Sequence, residues 1–207
     1  MLTHAWMDSF IELPTASRQT NNVRAMSAAT DEPADERLIQ STLAGDDEAF
    51  AELVRRHKRK VFATAARFAR NDHELDDICQ EIFVKAYQKL NSFRGEAPFE
   101  HWVSRIAVHT CYDFLRNTRR DRENVSLDGV EIGAPDNVSA RDAAEVLQWA
   151  MARLSADERL VITLLELEEK SVRETAELTG WSESNVKVRA YRARQALKKI
   201  LETSHER

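Results

Sequence analysis

The sequence has 207 residues and contains only five glycines and four prolines, about a third of the usual share of these two residues. β-Sandwiches and barrels need a turn roughly every 8–12 residues, so the composition excludes them and predicts an all-α protein. Hydrophobic residues make up 43% of the chain and charged residues 31%, which is enough for a packed core. The chain has no apolar run of the roughly 18 residues that a membrane span needs. Its N-terminus lacks the basic and apolar segments of a secretory signal.

Cysteine and histidine, which form disulfides or bind many metals, are few and scattered in the sequence. The two cysteines, Cys79 and Cys111, form no CxxC motif and are typical of core positions in a protein of the reduced cytoplasm. The six histidines form no HExxH motif and no His/Cys cluster. The sequence therefore predicts no metal site, no cofactor, no small-molecule substrate and no catalytic site.

The net charge of −5 is unusual for a protein that binds nucleic acid, but the charges are strongly segregated. Residues 51–70 have seven basic and one acidic side chain, and residues 185–201 have six basic and none acidic, so each segment carries +6. Residues 1–50 carry −6 and residues 124–184 carry −8. Basic helices of this kind can follow a phosphate backbone; a merely solvated face is the alternative.

Helical periodicity divides the chain into two groups of helices. Residues 1–34 lack periodicity and are predicted to be a disordered tail, with Met26 as a second candidate start. Helices are predicted over residues 35–44, 47–70, 73–90, 99–119, 139–153, 156–168, 171–179 and 183–202. The polar segment 120–138 contains two glycines and a proline and is predicted to be a linker. The expected fold is two small helical domains, 35–119 and 139–207, joined by this flexible linker.

Residues 172–191, with the sequence VRETAELTGWSESNVKVRAY, have the pattern of a helix-turn-helix. Ala176 is small enough for the point where the two helices cross, and Gly180 supplies the left-handed conformation of the turn. Ser182 or Ser184 can cap the second helix. The expected apolar anchors are Val172, Leu178, Trp181 and Val186.

The second helix of this motif has an apolar and a basic face at 100° per residue. The apolar face combines Val186, Ala190, Ala193, Leu197, Ile200 and Leu201. The opposite face combines Lys187, Val188, Tyr191, Arg192, Gln195, Lys198 and Lys199, and is flanked by Arg189 and Arg194. A basic face with an aromatic residue and no acid predicts docking in the major groove of DNA.

The third predicted helix is amphipathic. Its core side combines Leu75, Ile78, Cys79, Ile82, Phe83, Ala86 and Leu90. Asp77, Gln80 and Glu81 share the other side with Val84, and an exposed valine among polar groups suggests a protein-binding face with an apolar centre. Periodicity alone favours simple solvation of this face.

The fourth predicted helix and the loop before it combine basic and aromatic residues. The expected outer face of the helix consists of His101, Arg105, Val108, His109, Tyr112 and Arg116. Such a surface suits single-stranded nucleic acid. The loop contributes Phe93 and Arg94, and its Gly95 and Pro98 would shape a pocket for one extruded base. Packing at the base of the loop is the alternative role of Phe93.

Two long runs resemble the second and fourth conserved regions of bacterial extracytoplasmic-function (ECF, group IV) sigma factors of the sigma-70 family. The first run is DDICQEIFVKAYQKLNSFRGEAPFEHWVSRIAVHTCYDFLR. The second is LSADERLVITLLELEEKSVRETAELTGWSESNVKVRAYRARQALKKIL. Their order and the linker between them also match, so the resemblance covers residues 35–202.

The resemblance implies a protein that binds core RNA polymerase and directs promoter-specific initiation, often under the control of a membrane-anchored anti-sigma factor and in a stress response. Asp77, Gln80 and Glu81 match the DxxQE pattern that contacts the clamp helices of the largest polymerase subunit, with Val84 on the same face. The residues implied at the −10 element are Phe93, Arg94, Arg105, His109, Tyr112 and Arg116. Those implied at the −35 element are Lys187, Val188, Arg189, Tyr191, Arg192 and Gln195. The basic second helix, Arg55 to Lys60, would assist contact with DNA or polymerase.

Four positions depart from the family pattern. His109 stands where asparagine is usual in RIAxN, and Val188 where a small polar residue is common. Asn185 replaces the usual threonine, and Leu165 lies where some members have arginine. These departures fall at reading positions and leave the promoter sequence open.

Two other classes of function stay open on the sequence alone. A stand-alone helix-turn-helix regulator would need no polymerase, but it would leave the pattern of residues 74–116 unexplained. An enzyme such as a nuclease would need a carboxylate cluster with a metal or a nucleophile, and the sequence offers neither.

Overall fold

The computed structural model describes residues 34–125 and 140–205, and these residues form helices joined by short turns. The helices are α1 (Asp35–Leu43), α2 (Asp47–Ala66), α3 (Asp72–Lys89), α4 (Phe99–Val125), α5 (Ala140–Met151), α6 (Ala156–Ile162), α7 (Val172–Thr179) and α8 (Glu183–His205). A 3-10 turn, Leu90–Ser92, extends α3, and a π-helical turn, Thr163–Leu167, extends α6. The all-α prediction is confirmed.

Polar side chains fix where several helices begin. The Asp46 carboxylate accepts hydrogen bonds from two backbone N–H groups of the first turn of α2. Ser155 and Ser171 cap α6 and α7, and in each case the glutamate three residues later bonds back to the serine. These reciprocal caps satisfy backbone donors that the helix itself leaves unpaired.

Helix α4 continues further than the sequence predicts. It ends at Val125 rather than near residue 119 and so takes up the first six residues of the predicted linker. The segment from 120 to 125 contains none of the glycines or prolines of the linker, which begin at Gly129. The rest of the predicted linker, the tail through residue 33 and the proposed start at Met26 lie outside the described residues.

The N-terminal domain has its core between α1, α2, α3 and α4. Phe50, Phe68 and Phe83 are 0–2% exposed at its centre. Every α3 residue that the sequence assigns to the core, together with Leu90, is buried. The amphipathic period of α3 therefore predicted its orientation correctly.

The C-terminal domain has a smaller core made by α6 and α8 around Val161, Val186 and Ala190. The turn between α7 and α8 depends on Gly180, whose φ of +75° closes α7 in the left-handed conformation. That conformation is open to glycine at no steric cost. Ser182 accepts a hydrogen bond from the backbone N–H of Asn185 at 3.3 Å, which confirms Ser182, of the two candidates, as the cap of α8.

The two domains are packed against each other. Leu160 and Leu164, from the C-terminal half of the chain, are each 1% exposed within the core cluster of the N-terminal domain. Leu178 and Trp181 pack against the same cluster. Val108 on α4, predicted to face outward, is 2% exposed because it belongs to this shared apolar layer. The packing leaves a groove of about 800 Å³ between the loop before α4 and helix α7.

Candidate nucleic-acid and polymerase interfaces

The outer face of α8 is open to solvent. Tyr191 is 65% and Val188 is 49% exposed, and Lys187, Arg192 and Gln195 are exposed beside them. The opposite side of the helix is buried at Val186 and Ala193, each 0% exposed. The structure thus confirms the division of α8 into a core face and a free basic face.

Arg189 differs from the other basic residues of this helix. Its side chain is only 28% exposed and forms an ion pair with the Asp157 carboxylate. Its guanidinium also lies 4.2 Å from the centre of the Trp181 ring, and its Nε donates to Asn185 Oδ1 at 2.8 Å. The side chain is therefore fixed by three partners rather than free in solvent.

The loop before α4 is built on an aromatic cluster. The Phe93 ring lies 5.7 Å from Phe99 and 5.6 Å from Trp102, both in edge-to-face geometry. Gly95, with a φ of +71°, turns the chain next to Arg94, whose side chain is 81% exposed. Phe93 thus packs at the base of the loop while Arg94 extends away from it.

The outer face of α4 is partly free and partly covered. Arg105, His109 and Arg116 are exposed. Tyr112 is half-buried, and its hydroxyl donates to the Asp157 carboxylate of α6. Partial burial of the His109 ring, followed by the nearby positive charge of Arg105, lowers its pKa. This favours the neutral ring, in which one nitrogen can donate a hydrogen bond and the other can accept one.

The acidic face of α3 is exposed as the sequence predicts, with one exception. Asp77, Gln80 and Glu81 are exposed. Val84 is half-buried and packs against the N-terminal core, so the prediction of an exposed valine at the centre of this face is wrong. At 100° per residue Val84 lies about 180° from Leu75, opposite the core face of α3, so the amphipathic period of the helix does not predict this contact.

Many charges of the basic helix α2 are neutralised by carboxylates. Asp35 of α1 pairs with His57 at 2.8 Å and with Arg56 at 3.2 Å. Lys60 pairs with Glu100 of α4, and this hydrogen bond is the main cause that lowers the pKa of Glu100. Several positive charges of α2 are therefore paired with carboxylates of the same domain.

Both cysteines are buried in the part of the chain that the structure describes. Within those residues no group of three histidine, cysteine or acidic side chains could hold a metal ion. Burial raises the pKa of Cys79 to about 12 and also raises that of Cys111. None of the described helices is long and apolar enough to cross a membrane.

Sequence reasoning missed the residues that connect the two domains. Asp157 follows the Ser155 cap and looks like an ordinary acidic residue of a first helical turn, where negative charge is common. In the structure it bonds to Tyr112 and Arg189 instead. Glu168 pairs with Arg67 at 3.4 Å, and Arg159 donates to the backbone oxygen of Phe68 at 3.1 Å. No local pattern marks these long-range contacts.

Comparison with known proteins assigns each half of the chain to a conserved region. The family model Sigma-70 region 2 matches residues 53–121, and the model Sigma-70, region 4 matches residues 139–197. The ECF RNA polymerase sigma factor SigM of Mycobacterium tuberculosis is 32% identical over 170 residues, which cover 82% of this chain and 86% of that protein. This chain belongs to the ECF sigma factors. The ECF sigma-E factor of Escherichia coli K12 is 31% identical over 176 residues, covering 79% of this chain and 92% of sigma-E.

Two solved structures have a similar fold. CnrH, in complex with the cytosolic domain of CnrY, matches with 28% identity and a TM-score of 0.53, over 82% of this chain and 97% of CnrH. The sigma factor RpoE of Bartonella quintana, in complex with the anti-sigma factor NepR, matches with a TM-score of 0.53 at 24% identity, over 74% of this chain and 96% of RpoE. The two-domain helical architecture is therefore that of the family.

Proposed function

We propose that this sigma factor binds core RNA polymerase and directs promoter-specific initiation with two separate DNA-reading surfaces. The observation that carries the proposal is the match of both conserved regions, in order, to the two helical domains. The exposed basic face of α8 supports it, because a helix of a helix-turn-helix presents such a face to the major groove.

In this proposal the C-terminal domain reads the −35 element. Lys187, Val188, Tyr191, Arg192 and Gln195 are exposed on one side of α8 and would contact bases and phosphates. Long basic side chains position a protein on the phosphate backbone, whereas contacts to base edges carry the sequence preference. Arg189 would join this surface once it leaves Asp157.

The N-terminal domain would read and melt the −10 element. Arg94, Arg105, His109 and Arg116 are exposed around the loop and α4, and Tyr112 lies among them. The groove beside the loop would hold an extruded nucleobase. The Phe93 cluster would form the floor of the groove rather than stack on DNA. Capture of unstacked bases assists melting without any covalent step.

The acidic face of α3 would contact the polymerase clamp helices. Asp77→Arg combined with Gln80→Ala reverses charge at this exposed face without touching the core. We expect core-polymerase affinity to fall by about tenfold or more, the range for truncation of central interface residues. The affinity is measured by fluorescence anisotropy of labelled sigma factor with purified core enzyme. Asp76→Arg, a charge reversal at the next residue, is the matched control, and undiminished binding of the double variant would reject the assignment of the clamp face.

Run-off transcription with purified core enzyme tests the whole proposal. A library of genomic fragments is transcribed by core enzyme with and without the protein, and the start sites are mapped. We expect new start sites that share two elements at a fixed spacing. Absence of any protein-dependent start site, together with absence of core binding, would contradict the proposed function.

Control by an anti-sigma factor and a cytoplasmic location are part of the same proposal. CnrH and RpoE are both solved with a bound partner, the cytosolic domain of CnrY and the anti-sigma factor NepR respectively. By analogy, a partner of this kind, often membrane-anchored, would hold the free factor inactive. The stand-alone regulator considered from the sequence is not supported, since the conserved regions of a sigma factor match both halves of the chain.

A further inference from the structure

A cavity of about 340 Å³ lies between α3 and α4. Helix α3 contributes two lysines to its lining, Lys85 and Lys89. Helix α4 contributes Trp102, Arg105, Ile106, His109, Thr110 and Asp113. All of these residues belong to the N-terminal domain, so the cavity does not depend on how the two domains are arranged.

The lining of this α3–α4 cavity is basic. Lys85, Lys89 and Arg105 are opposed by Asp113, the one acidic side chain of the lining, which leaves a net charge of +2 while His109 is neutral. The Lys85 Nζ lies 2.8 Å from Glu81 and 3.7 Å from Asp113. No carboxylate among the described residues pairs with Lys89 or Arg105. Positive charge of this kind attracts an anion and repels a metal ion.

One buried hydroxyl of the lining lacks a hydrogen-bond partner. Thr110 is 1% exposed, and its Oγ1 has no partner among the described residues. A threonine inside a helix can donate to the carbonyl four residues earlier, as Thr42 does to Leu38 at 2.8 Å. Buried hydroxyls in native proteins are nearly always hydrogen-bonded. An anionic oxygen in the cavity would supply the acceptor that Thr110 lacks.

The α3–α4 cavity adjoins the groove that we propose for an extruded nucleobase. Trp102 and Arg105 line both. The Trp102 ring lies 5.6 Å from Phe93 and 5.4 Å from Phe99, so the aromatic floor of the groove forms part of the shared wall. Each base of a strand is flanked by phosphates, and a base in the groove would bring one of them to this wall. The arrangement favours a phosphate of single-stranded DNA over a free anion.

His109 is sensitive to the charge of whatever the cavity holds. Partial burial is the main cause that lowers its pKa, and Arg105, Lys89 and Lys85 lower it further, whereas Asp113 raises it. An anion among these cations would offset their charge and raise the pKa of the ring. The neutral ring could then take up a proton from solvent and donate hydrogen bonds from both nitrogens.

We propose that the α3–α4 cavity binds a phosphodiester group of single-stranded DNA through its basic side chains, and that His109 takes up a proton from solvent as the phosphate binds. This inference rests on the proposed function, since it takes the strand and the groove from there. It adds Lys85, Lys89 and Thr110 to the surface that holds the melted strand. It also makes the hold on that strand dependent on pH.

The direction of the pH dependence follows from linkage. The ring binds its proton more tightly when the phosphate is present, so affinity for the strand increases as the pH falls through the pKa of the bound ring. The increase is complete below the lower pKa of the free ring. One linked proton changes affinity by at most about tenfold per pH unit.

NMR of the full-length protein with an oligothymidylate of about 12 nucleotides tests the proton uptake. The ring signals of His109 are assigned by their loss in His109→Asn and are followed as a function of pH. We expect the oligonucleotide to raise the pKa of His109. The pKa of His73, whose side chain is 88% exposed on α3, should stay the same. A His109 pKa that does not change on saturation with the oligonucleotide would overturn the proton uptake, and absence of any shift of the His109 signals would overturn the site.

The affinity of the labelled oligonucleotide, measured by fluorescence anisotropy at pH 6 and pH 8, gives the second readout. We expect the wild type to bind about three- to tenfold more tightly at pH 6, within the limit for one linked proton. His109→Asn keeps a polar side chain that does not titrate in this range and should lose most of this difference. His73→Asn is the matched control and should keep it. An equal pH dependence in the wild type and His109→Asn would overturn the role of His109.

Three changes to the lining test the site itself, and circular dichroism confirms that each variant is folded. Lys85→Met with Lys89→Met should weaken oligonucleotide binding by about tenfold. Asp113→Asn should strengthen it by about two- to threefold, whereas Asp76→Asn, at an exposed position of α3, should change it less. Thr110→Val keeps the shape of the side chain and should weaken binding without lowering the melting temperature, because the hydroxyl has no partner to lose. Undiminished affinity in both the double lysine variant and Thr110→Val would overturn the cavity as the binding site.

Inorganic phosphate separates a strand-binding site from a site for a free anion. We expect inorganic phosphate to move the His109 signals far less than the oligonucleotide does at the same concentration of phosphate groups. An equal response to both would overturn DNA as the ligand. Because none of these measurements uses polymerase or a promoter, failure of this site is distinguishable from failure of the proposed function in run-off transcription.

Discussion

The two basic helices of this sigma factor carry the same segment charge but present it differently. Residues 51–70 and residues 185–201 each carry +6. In the first segment five of the seven basic side chains pair with carboxylates, namely Arg55, Arg56, Lys60, Arg67 and Arg70. In the second, three of the six pair, namely Arg189, Arg194 and Lys198. Lys187 and Arg192 are exposed, and no acidic group among the described residues pairs with them.

The difference shows that the charge of a segment is not the charge of a surface. Helix α2 lies between α1, α3 and α4, so carboxylates of these neighbours, such as Asp35 and Glu100, reach its basic groups. Helix α8 is buried on one side at Val186 and Ala193, and Lys187, Tyr191 and Arg192 on its other side are exposed. Free positive charge on the outside attracts phosphate, whereas paired charge mainly stabilises the fold.

The largest expected effect is on DNA affinity, which should depend on the charges of α8 much more than on those of the α2 segment. Lys187→Ala with Arg192→Ala removes two free charges from α8, and we expect DNA affinity to fall by about tenfold to a hundredfold at physiological salt. The dependence of affinity on salt should weaken by about two phosphate contacts. The matched variant, Arg55→Ala with Arg70→Ala, removes two paired charges from the α2 segment and should change affinity by less than about threefold. The affinities are measured by fluorescence anisotropy with holoenzyme and a mapped promoter. Equal losses of affinity in the two double variants would mean that net charge alone determines DNA binding.

A smaller effect is expected on the free energy of unfolding, and here the loss should be larger for α2 than for α8. Asp35→Asn removes the partner of His57 and Arg56, whose side chains are 12% and 20% exposed, and should cost about 1–3 kcal/mol. Glu166→Gln removes the partner of Arg194 in a pair whose side chains are 56% and 47% exposed, and should cost at most about 1 kcal/mol. Urea unfolding gives both values, and a larger loss in Glu166→Gln would reverse the comparison.

The smallest effect is a pH dependence at the contact of α2 with α4. The hydrogen bond from Lys60 lowers the pKa of Glu100, so the folded state favours the ionised carboxylate. The contribution is complete above the unfolded pKa of about 4.3 and is lost as the pH falls through the lower folded pKa. Lys60→Met should therefore destabilise the protein at pH 6, by less than about 1 kcal/mol because the pair is half exposed, and not at pH 2.5.

Thermal unfolding at the two pH values measures this difference. Arg59→Met removes a cation from the same helix at an exposed position and serves as the control. A destabilisation by Lys60→Met that is the same at both pH values would show that packing of the lysine, rather than its charge, supports Glu100.

Sequence reasoning was most accurate where local periodicity decides the outcome. The core residues of α3, the two faces of α8 and the turn at Gly180 all follow from positions within about one or two helical turns. The cap of α8 was narrowed to Ser182 or Ser184, and the structure places it at Ser182. It was wrong at Val84, which packs against the N-terminal core although it lies opposite the core face of α3, and at Val108, which the second domain covers. It stopped α4 near residue 119, although no glycine or proline lies between residues 119 and 129. The assigned contacts with polymerase and DNA stay predictions.

The sequence by itself determined the helices, their amphipathic faces and the family, because these depend on residues that are near one another in the chain. Only the tertiary structure decided which basic groups are free and which are paired. Tyr112 and Asp157 are 45 residues apart in sequence, and Arg67 and Glu168 are 101 apart. No local propensity encodes such pairs, since they form only after each helix has buried its apolar face and brought the domains together.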